Sequence, residues 1–322
     1  MVAEKVFVFN GKLIDITAEQ IIVHAEYIGT EFNIYSREFF YDIFAQHWHG
    51  QSIVINAGDG EPIWDLGVVH FFVDLCKDFD IPQNLVTFIT HDNRDYLGFN
   101  KTVKGLEIFW ESANYLPGQF RLDPDARFVG ATIGRYTPAR LRLMYTLANE
   151  LTQSCFIVNK NSNIEKHIPK HLAHIYSKEI EWAQQYQFDR DLSLENVSWN
   201  VGCESYSNVW GKYQIEIVCE THVENNYWFT EKTARCLATG KPFLLLSGAG
   251  ALATLHNLGF ETWGSLIDES YDSLTPWTLR INKIVDTLKT LYANPDRENT
   301  IKEMYNIALH NQQLFAKVRH DL

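Results

Sequence analysis

The chain is short of paired cysteines, long apolar runs and net positive charge, and each shortage removes a class of protein. Its five cysteines (Cys76, Cys155, Cys203, Cys219, Cys236) are scattered, odd in number and never in C-x-x-C spacing. That argues against a disulfide framework or a zinc site, and for reduced thiols in a cytosolic compartment. No apolar run approaches the roughly 20 residues that span a bilayer. The start, MVAEKVFVFNGKLIDI, lacks a basic region followed by a long apolar stretch, so a signal peptide is not expected and a cytoplasmic location is. Lys and Arg number 28 against 40 Asp and Glu, a net charge of −12. A large nucleic-acid footprint needs clustered cations, so this balance speaks against one while leaving room for a local basic groove. Internal repeats and low-complexity tracts are absent. The turn Ser247-Gly248-Ala249-Gly250 lacks the Gly-Lys-Ser/Thr ending of a P-loop, and G-x-G alone is a weak dinucleotide signal, so kinase and dehydrogenase readings rank low.

What is present suffices for two ordinary domains. The chain has 322 residues, 46% hydrophobic and 14% aromatic, enough to build two cores. Residues 51–56 (QSIVIN) read as a strand, 63–79 as a helix with Leu66, Val69, His70, Val73, Leu75 and Cys76 at helical spacing, and 85–90 (LVTFIT) as the next strand: a β-α-β unit. A helix over Pro138–Glu150 leads to a strand at Ser154–Val158. Residues 159–208 are polar and read as the interdomain region; 296–318 read as a long terminal helix. The expected division is residues 1–160 and 161–322.

The richest stretch is 217–272. An apolar run ends in the carboxylate Glu220; a polar gap follows; Phe229-Thr230-Glu231-Lys232-Thr233 then opens an amphipathic segment that stops at Gly240. Pro242, a strand and the Gly-rich turn come next. This is strand, loop, helix, strand, turn, helix, a piece of parallel α/β sheet, with Glu231 and Lys232 at a helix start just past a strand's carboxyl end. Ligands bind parallel sheets there, and a helix N-terminus with a Lys attracts phosphate. An adjacent carboxylate accepts hydrogen bonds from ribose hydroxyls. Thr230 is also a good N-cap, so capping and ligand roles coexist at this helix start.

These residues resemble the donor-binding half of GT-B glycosyltransferases, most closely fucosyltransferase-like families. Cys219-Glu220-Thr221-His222 stands where those families carry Phe-Glu-Asn-Ser, and Thr230-Glu231-Lys232-Thr233 matches their Val-Thr-Glu-Lys-Leu helix start. Cys219, His222 and Thr233 depart from the pattern, which leaves the sugar unassigned. With Gly259-Phe260 and Asp268-Glu269-Ser270-Tyr271-Asp272 downstream, the stretch is also similar to glycosyltransferases of phages and large viruses. The resemblance implies an α/β fold of two Rossmann-like domains facing a cleft, an N-terminal acceptor side, a C-terminal side for the nucleotide sugar, and a terminal helix that crosses back. It implies that Glu220 binds sugar or ribose, Glu231 holds ribose hydroxyls, and Lys232 meets the diphosphate. Tyr271 contacts the base, closes the cleft, or is an interface aromatic.

Two further constellations fit that frame. In Gly134-Arg135-Tyr136-Thr137-Pro138-Ala139-Arg140-Leu141-Arg142, a short apolar approach delivers Arg135 and then a helix carrying Arg140. Both guanidinium groups suit diphosphate oxygens, whereas Arg142 reads as solvated; a surface helix is the competing reading. The turn 56–61 and His91-Asp92-Asn93 lie at the ends of neighbouring strands. An inverting transfer needs a base for the acceptor hydroxyl, and Glu61 is the first candidate, then Asp59, then His91; an ordinary Asp-Gly turn is the plainer alternative. Asp123-Pro124-Asp125 and Asp189-Arg190-Asp191 are D-x-D strings without a convincing strand before them, so no metal is expected. His167, His171 and His174 have one-face helical spacing but no H-E-x-x-H.

The expected activity is metal-independent transfer of a hexosyl or pentosyl group from a nucleotide sugar to a glycan or other hydroxyl acceptor, with no cofactor beyond that co-substrate. The alternatives are a phage-type enzyme acting on modified DNA bases, and a non-catalytic nucleotide- or glycan-binding protein of the same fold.

Overall fold

A computed structural model describes residues 5–9, 12–24, 34–56, 68–90, 97–103, 122–158, 163–168, 170–186, 210–224 and 229–320. The chain forms two units, Met1–Ile108 and Phe109–Leu322, each built on its own sheet.

The first unit contains β1 (Lys5–Phe9), β2 (Lys12–Ile16), β3 (Gln20–His24), α1 (Ile34–His47), β4 (Ser52–Asn56), α2 (Val68–Asp78), β5 (Val86–Thr90) and β6 (Asn100–Val103). Its sheet runs in chain order from β1 to β6. The first two pairings are antiparallel and the other three parallel. Register aligns two rows of β-branched and aromatic residues across the parallel part, Ile21–Ile53–Val86 and Val23–Ile55–Phe88, all buried. A chain that always steps the same way across a sheet puts its crossover helices on one face. Phe40 and Phe44 of α1 accordingly meet Phe71 and Phe72 of α2, and Phe72 meets Phe88 below. The sequence places a helix here correctly but misreads its stripe. The buried positions are Val68, Val69, Phe71, Phe72, Leu75 and Cys76, while His70 is exposed.

The second unit contains β7 (Arg127–Ile133), α3 (Pro138–Glu150), β8 (Ser154–Val158), α4 (Ile164–His167), α5 (Ser177–Gln185), β9 (Tyr213–Cys219), α6 (Glu231–Thr239), β10 (Phe243–Leu246), α7 (Ala251–Asn257), α8 (Trp277–Ala293) and α9 (Arg297–His320). The strand order is β10-β9-β7-β8, all parallel. From β7 the chain crosses to β8 on one side and later returns to lay β9 on the other. Right-handed connections in opposite directions put α3 and α6 on opposite faces; α8 packs against α3, and α9 against α6. The result is a doubly wound, Rossmann-like α/β layer. Trp263, buried, closes its lower edge by donating its indole N–H to the Phe243 carbonyl.

The units divide at 108/109 rather than at 160. Val129 pairs with Ile215 and Gly130 with Glu216, so the strand–helix–strand read as the end of the first domain opens the second. An apolar strand pattern declares a parallel sheet but not which one. The long terminal helix is present and lies along α6: Gln312 donates to the Ala238 carbonyl (3.0 Å), and Asn311 bonds both backbone groups of Glu261 (2.9 and 2.8 Å).

The Tyr213 ring can lie against β7 only because residue 130 has no side chain. A Cβ at Gly130 would stand 2.2 Å from the Tyr213 ring, which is itself fully buried. Gly130→Ala is expected to lower stability by about 1–3 kcal/mol through overpacking, read as a reduced urea midpoint; an unchanged midpoint would contradict this packing.

Candidate functional site

Where a parallel sheet reverses its strand order, two neighbouring strands send their helices opposite ways and a crevice opens at their carboxyl ends. In the second unit that point lies between β7 and β9. Their pairing runs from Arg127–Tyr213 to Gly130–Glu216. Beyond it, backbone groups that would have bonded across the ladder need other partners, because a buried unpaired one is costly. Side chains supply them. The Thr132 N–H donates to Glu216 Oε1 (3.1 Å), and the Thr132 hydroxyl meets the Tyr213 hydroxyl (3.0 Å). The Cys219 carbonyl accepts from Arg140 Nε (3.2 Å) and Nη2 (3.0 Å), and Arg140 Nη1 donates to the Arg135 carbonyl (3.1 Å). Burial raises the Glu216 carboxyl to about 7, against the pull of bonds from Tyr213 and Thr132 and of Lys241 and Arg235.

Arg140 is thereby relocated. It is 2% exposed, and its guanidinium is spent on two carbonyls instead of being held out to a ligand. It remains a full positive charge in the crevice, and none of its partners among the described residues is a carboxylate. Arg135 sits half-buried beside it. Helix α3 begins as its sequence indicates, with Pro138 in the first turn and Thr137 Oγ1 accepting from the Arg140 N–H (3.2 Å). Arg142 is not simply solvated: its Nε pairs with Glu179 Oε1 of α5 at 2.5 Å.

On the other side of the crevice, Glu220 ends β9 and is fully buried. Its Oε1 accepts from the Thr230 N–H (3.0 Å) and Thr233 Oγ1 (2.6 Å); its Oε2 accepts from Thr230 Oγ1 (2.5 Å) and Lys232 Nζ (3.4 Å). So saturated a carboxylate is a clamp that joins strand end to helix start, not a sugar contact, which corrects its expected role. Thr230 is the N-cap, accepting from the Lys232 N–H (3.4 Å). The Lys232 ammonium rests on Thr230 Oγ1 (2.6 Å) and Glu231 Oε1 (3.1 Å), with its side chain 15% exposed. Burial alone would push the Glu231 carboxyl up. The charges of Lys232 and Arg235 reverse that and hold it at about 2, so Glu231 is an ionised acceptor at any ordinary pH.

Cys219 lies among Arg140, Glu220 and Lys232, and burial pushes its thiol to about 11, as befits a small apolar filler. Tyr271 is fully buried, so it is a core aromatic and neither a base contact nor a surface ring. Glu61, Asp59 and His91 lie outside the described residues, as does Asp189-Arg190-Asp191. Asp123-Pro124-Asp125 forms a turn closed by the Ala126 N–H on the Asp123 carbonyl (3.0 Å). The three histidines do not share a helix, because α4 stops at His167 and turns follow. The Gly-rich turn is occupied by the chain itself: Asp272 Oδ1 accepts the Leu252 N–H (3.1 Å) at the start of α7.

Three contributors escape sequence reading. Glu216 and Arg280 are buried charges inside otherwise apolar stretches, and Arg280 holds the Val223, Leu274 and Thr275 carbonyls. Arg235 alone leaves a signal, its spacing of four from Glu231.

No family model matches the chain, and no curated protein does. Similar solved structures exist. The C-terminal domain of a Glycosyl Transferase Group 1 family protein (LpcC) from Francisella tularensis shares 9% identity at a TM-score of 0.33, covering 62% of this chain and 94% of that one. T4 phage BGT in complex with UDP-glucose shares 11% at 0.37, covering 93% and 80%. Trehalose-6-phosphate synthase OtsA shares 9% at 0.42, covering 88% and 70%. These are GT-B glycosyltransferases, the class that the sequence resemblance implies. At such TM-scores the likenesses carry no part of the functional reading, which stands on the residues. Among the described residues, no helix is long and apolar enough to cross a membrane.

Glu220→Ala strands three buried donors, on Thr230 and Thr233, at about 1–3 kcal/mol each. The expected loss is about 3 kcal/mol or more by chemical denaturation, with Glu220→Gln milder because one acceptor oxygen survives. A loss below about 1 kcal/mol for the Ala variant would refute the clamp.

Proposed function

We propose that the chain is a glycosyltransferase that needs no metal and holds the nucleoside diphosphate of a nucleotide sugar at the carboxyl ends of β7 and β9. The observation that carries this reading is Arg140, a buried guanidinium bonded to carbonyls at the switch point with no carboxylate partner among the described residues. A buried cation without a counter-ion is costly, and an anionic ligand in the crevice supplies one. The starts of α3 and α6 add positive potential on either side.

In the proposed reaction the acceptor oxygen attacks the anomeric carbon as the bond to the phosphate oxygen breaks. The electron pair leaves with the nucleoside diphosphate, and a base takes the acceptor's proton. Lys232 turns from Glu231 to the phosphate and, with Arg135 beside it and the fixed charge of Arg140, stabilises the leaving group as a metal would elsewhere. Glu231, ionised, accepts from ribose hydroxyls. Glu61 is proposed as the base, ahead of Asp59 and His91, and attack from the face opposite the leaving group gives inversion. The acceptor is a glycan or other hydroxyl compound.

Binding tests this. UDP, GDP, CDP and dTDP are titrated against the wild-type chain and Lys232→Ala, with thermal shift and calorimetry as readouts. At least one should bind the wild type, and Lys232→Ala should weaken that binding by about 1.5–3 kcal/mol, the worth of a charged hydrogen bond, with the fold intact. Binding of none, or equal affinity in the variant, would sink the assignment.

A further inference from the structure

Every residue of α6 from Thr233 to Thr239 is buried, and among them stands a guanidinium, Arg235, only 6% exposed. Four residues separate it from Glu231, the spacing that places two side chains on one helix face. Its Nη2 lies 3.6 Å from Glu231 Oε1. The same oxygen lies 3.1 Å from Lys232 Nζ and is held by these two charges rather than by a formed hydrogen bond. One carboxylate oxygen is therefore shared by two cations of unlike freedom. Lys232 is at the helix start, tied also to Thr230 Oγ1 (2.6 Å) and Glu220 Oε2 (3.4 Å). Arg235 is a turn deeper, walled in by packing, with Glu216 of β9 acting on it from the sheet side.

The two cations cannot serve the same purpose if the site works as proposed above. Once a phosphate draws Lys232 away, Glu231 loses its nearer partner while its side chain is still only 15% exposed. A carboxylate so enclosed and without a cation protonates or swings out. Either outcome would remove the acceptor that the ribose hydroxyls need. We propose that Arg235 is a positioning residue that holds Glu231 in place and ionised while Lys232 is engaged by phosphate. Arg suits the task better than Lys, since its charge is spread over a rigid planar group that packing holds in place beside Glu231. The inference rests on the nucleotide-binding reading of this site, but its physical content is a property of the ligand-free chain and is tested there. Among the described residues, the charged groups facing Glu231 are Lys232 and Arg235 on its own helix, with Glu220 at the end of β9 reaching it through Lys232.

The experiment is an NMR titration of the Glu231 carboxyl in the full chain labelled with ¹³C-Glu, assigned by the resonance lost in Glu231→Gln. Lys232→Met imitates the departure of the ammonium. Glu231 should then still titrate below 4.5, the ordinary value for Glu, and in Lys232→Met/Arg235→Met it should titrate above it. A Glu231 that titrates at or above the ordinary value in Lys232→Met, with Arg235 present, overturns the proposal; this arm decides even if Arg235→Met fails to fold. The functional arm uses the best binder among UDP, GDP, CDP and dTDP. Lowering the pH from 6.5 to 4.5 should weaken its binding to Arg235→Met roughly tenfold more than to the wild type, with Arg235→Lys restoring most of the difference. Equal pH profiles overturn the positioning role. If no nucleotide binds the wild type, the site reading falls and this role falls with it, while the titration still reports whether Arg235 alone keeps Glu231 ionised.

Discussion

The second unit is organised around the place where β7 and β9 stop pairing. A parallel sheet that lays successive strands to both sides of its first one must open there, and the opening exposes backbone groups inside a buried layer. Glu216 takes the Thr132 N–H, and Arg140 takes the Cys219 carbonyl. The crevice is thus lined by the same side chains that make it tolerable. Gly130 belongs to this arrangement as well, since Tyr213 can pack flat on β7 and reach Thr132 only where no side chain intervenes.

From that opening the charges follow in sequence. Arg140 fixes the end of β9; Glu220, the next residue after Cys219, gathers Thr230, Lys232 and Thr233 and so sets where α6 begins. Glu231 and Lys232 project from that fixed start, and Arg235 stands one turn below. Glu220, Glu231, Lys232 and Arg235 are two acids and two bases that pair with one another. Arg140 stays outside this balance, bonded to the Cys219 and Arg135 carbonyls. These charges hold strand end and helix start together, and none of them is exposed in the manner of a surface ion pair.

Much of this was legible in the sequence where local rules decide. The bounds of α3, β8 and β10 follow from Pro138, the apolar runs and the glycines around them, and Thr230 declares the start of α6 as its side chain requires. What local rules do not carry is long-range pairing. Nothing in 127–158 tells that β7 joins β9 instead of β4 or β5, so Arg135 and Arg140 read as part of the first unit although they belong to the second. Nor does residue type reveal burial of charge: Arg140, Glu220 and Arg280 count as polar in any periodicity, yet each is buried because backbone groups elsewhere in the chain need it. Tyr271 errs the other way, a polar-tipped ring in an acidic stretch that the fold turns wholly inward.

Amide hydrogen exchange, with and without a bound nucleoside diphosphate, tests most directly whether the switch point is the binding site. Exchange should slow in residues 133–141 and in 219–224 and 229–235, the two sides of the opening, and change little around 248–254, where Asp272 already occupies the turn. Nucleotide binding that protects 248–254, or any region other than the ends of β7 and β9, would contradict the placement of the site.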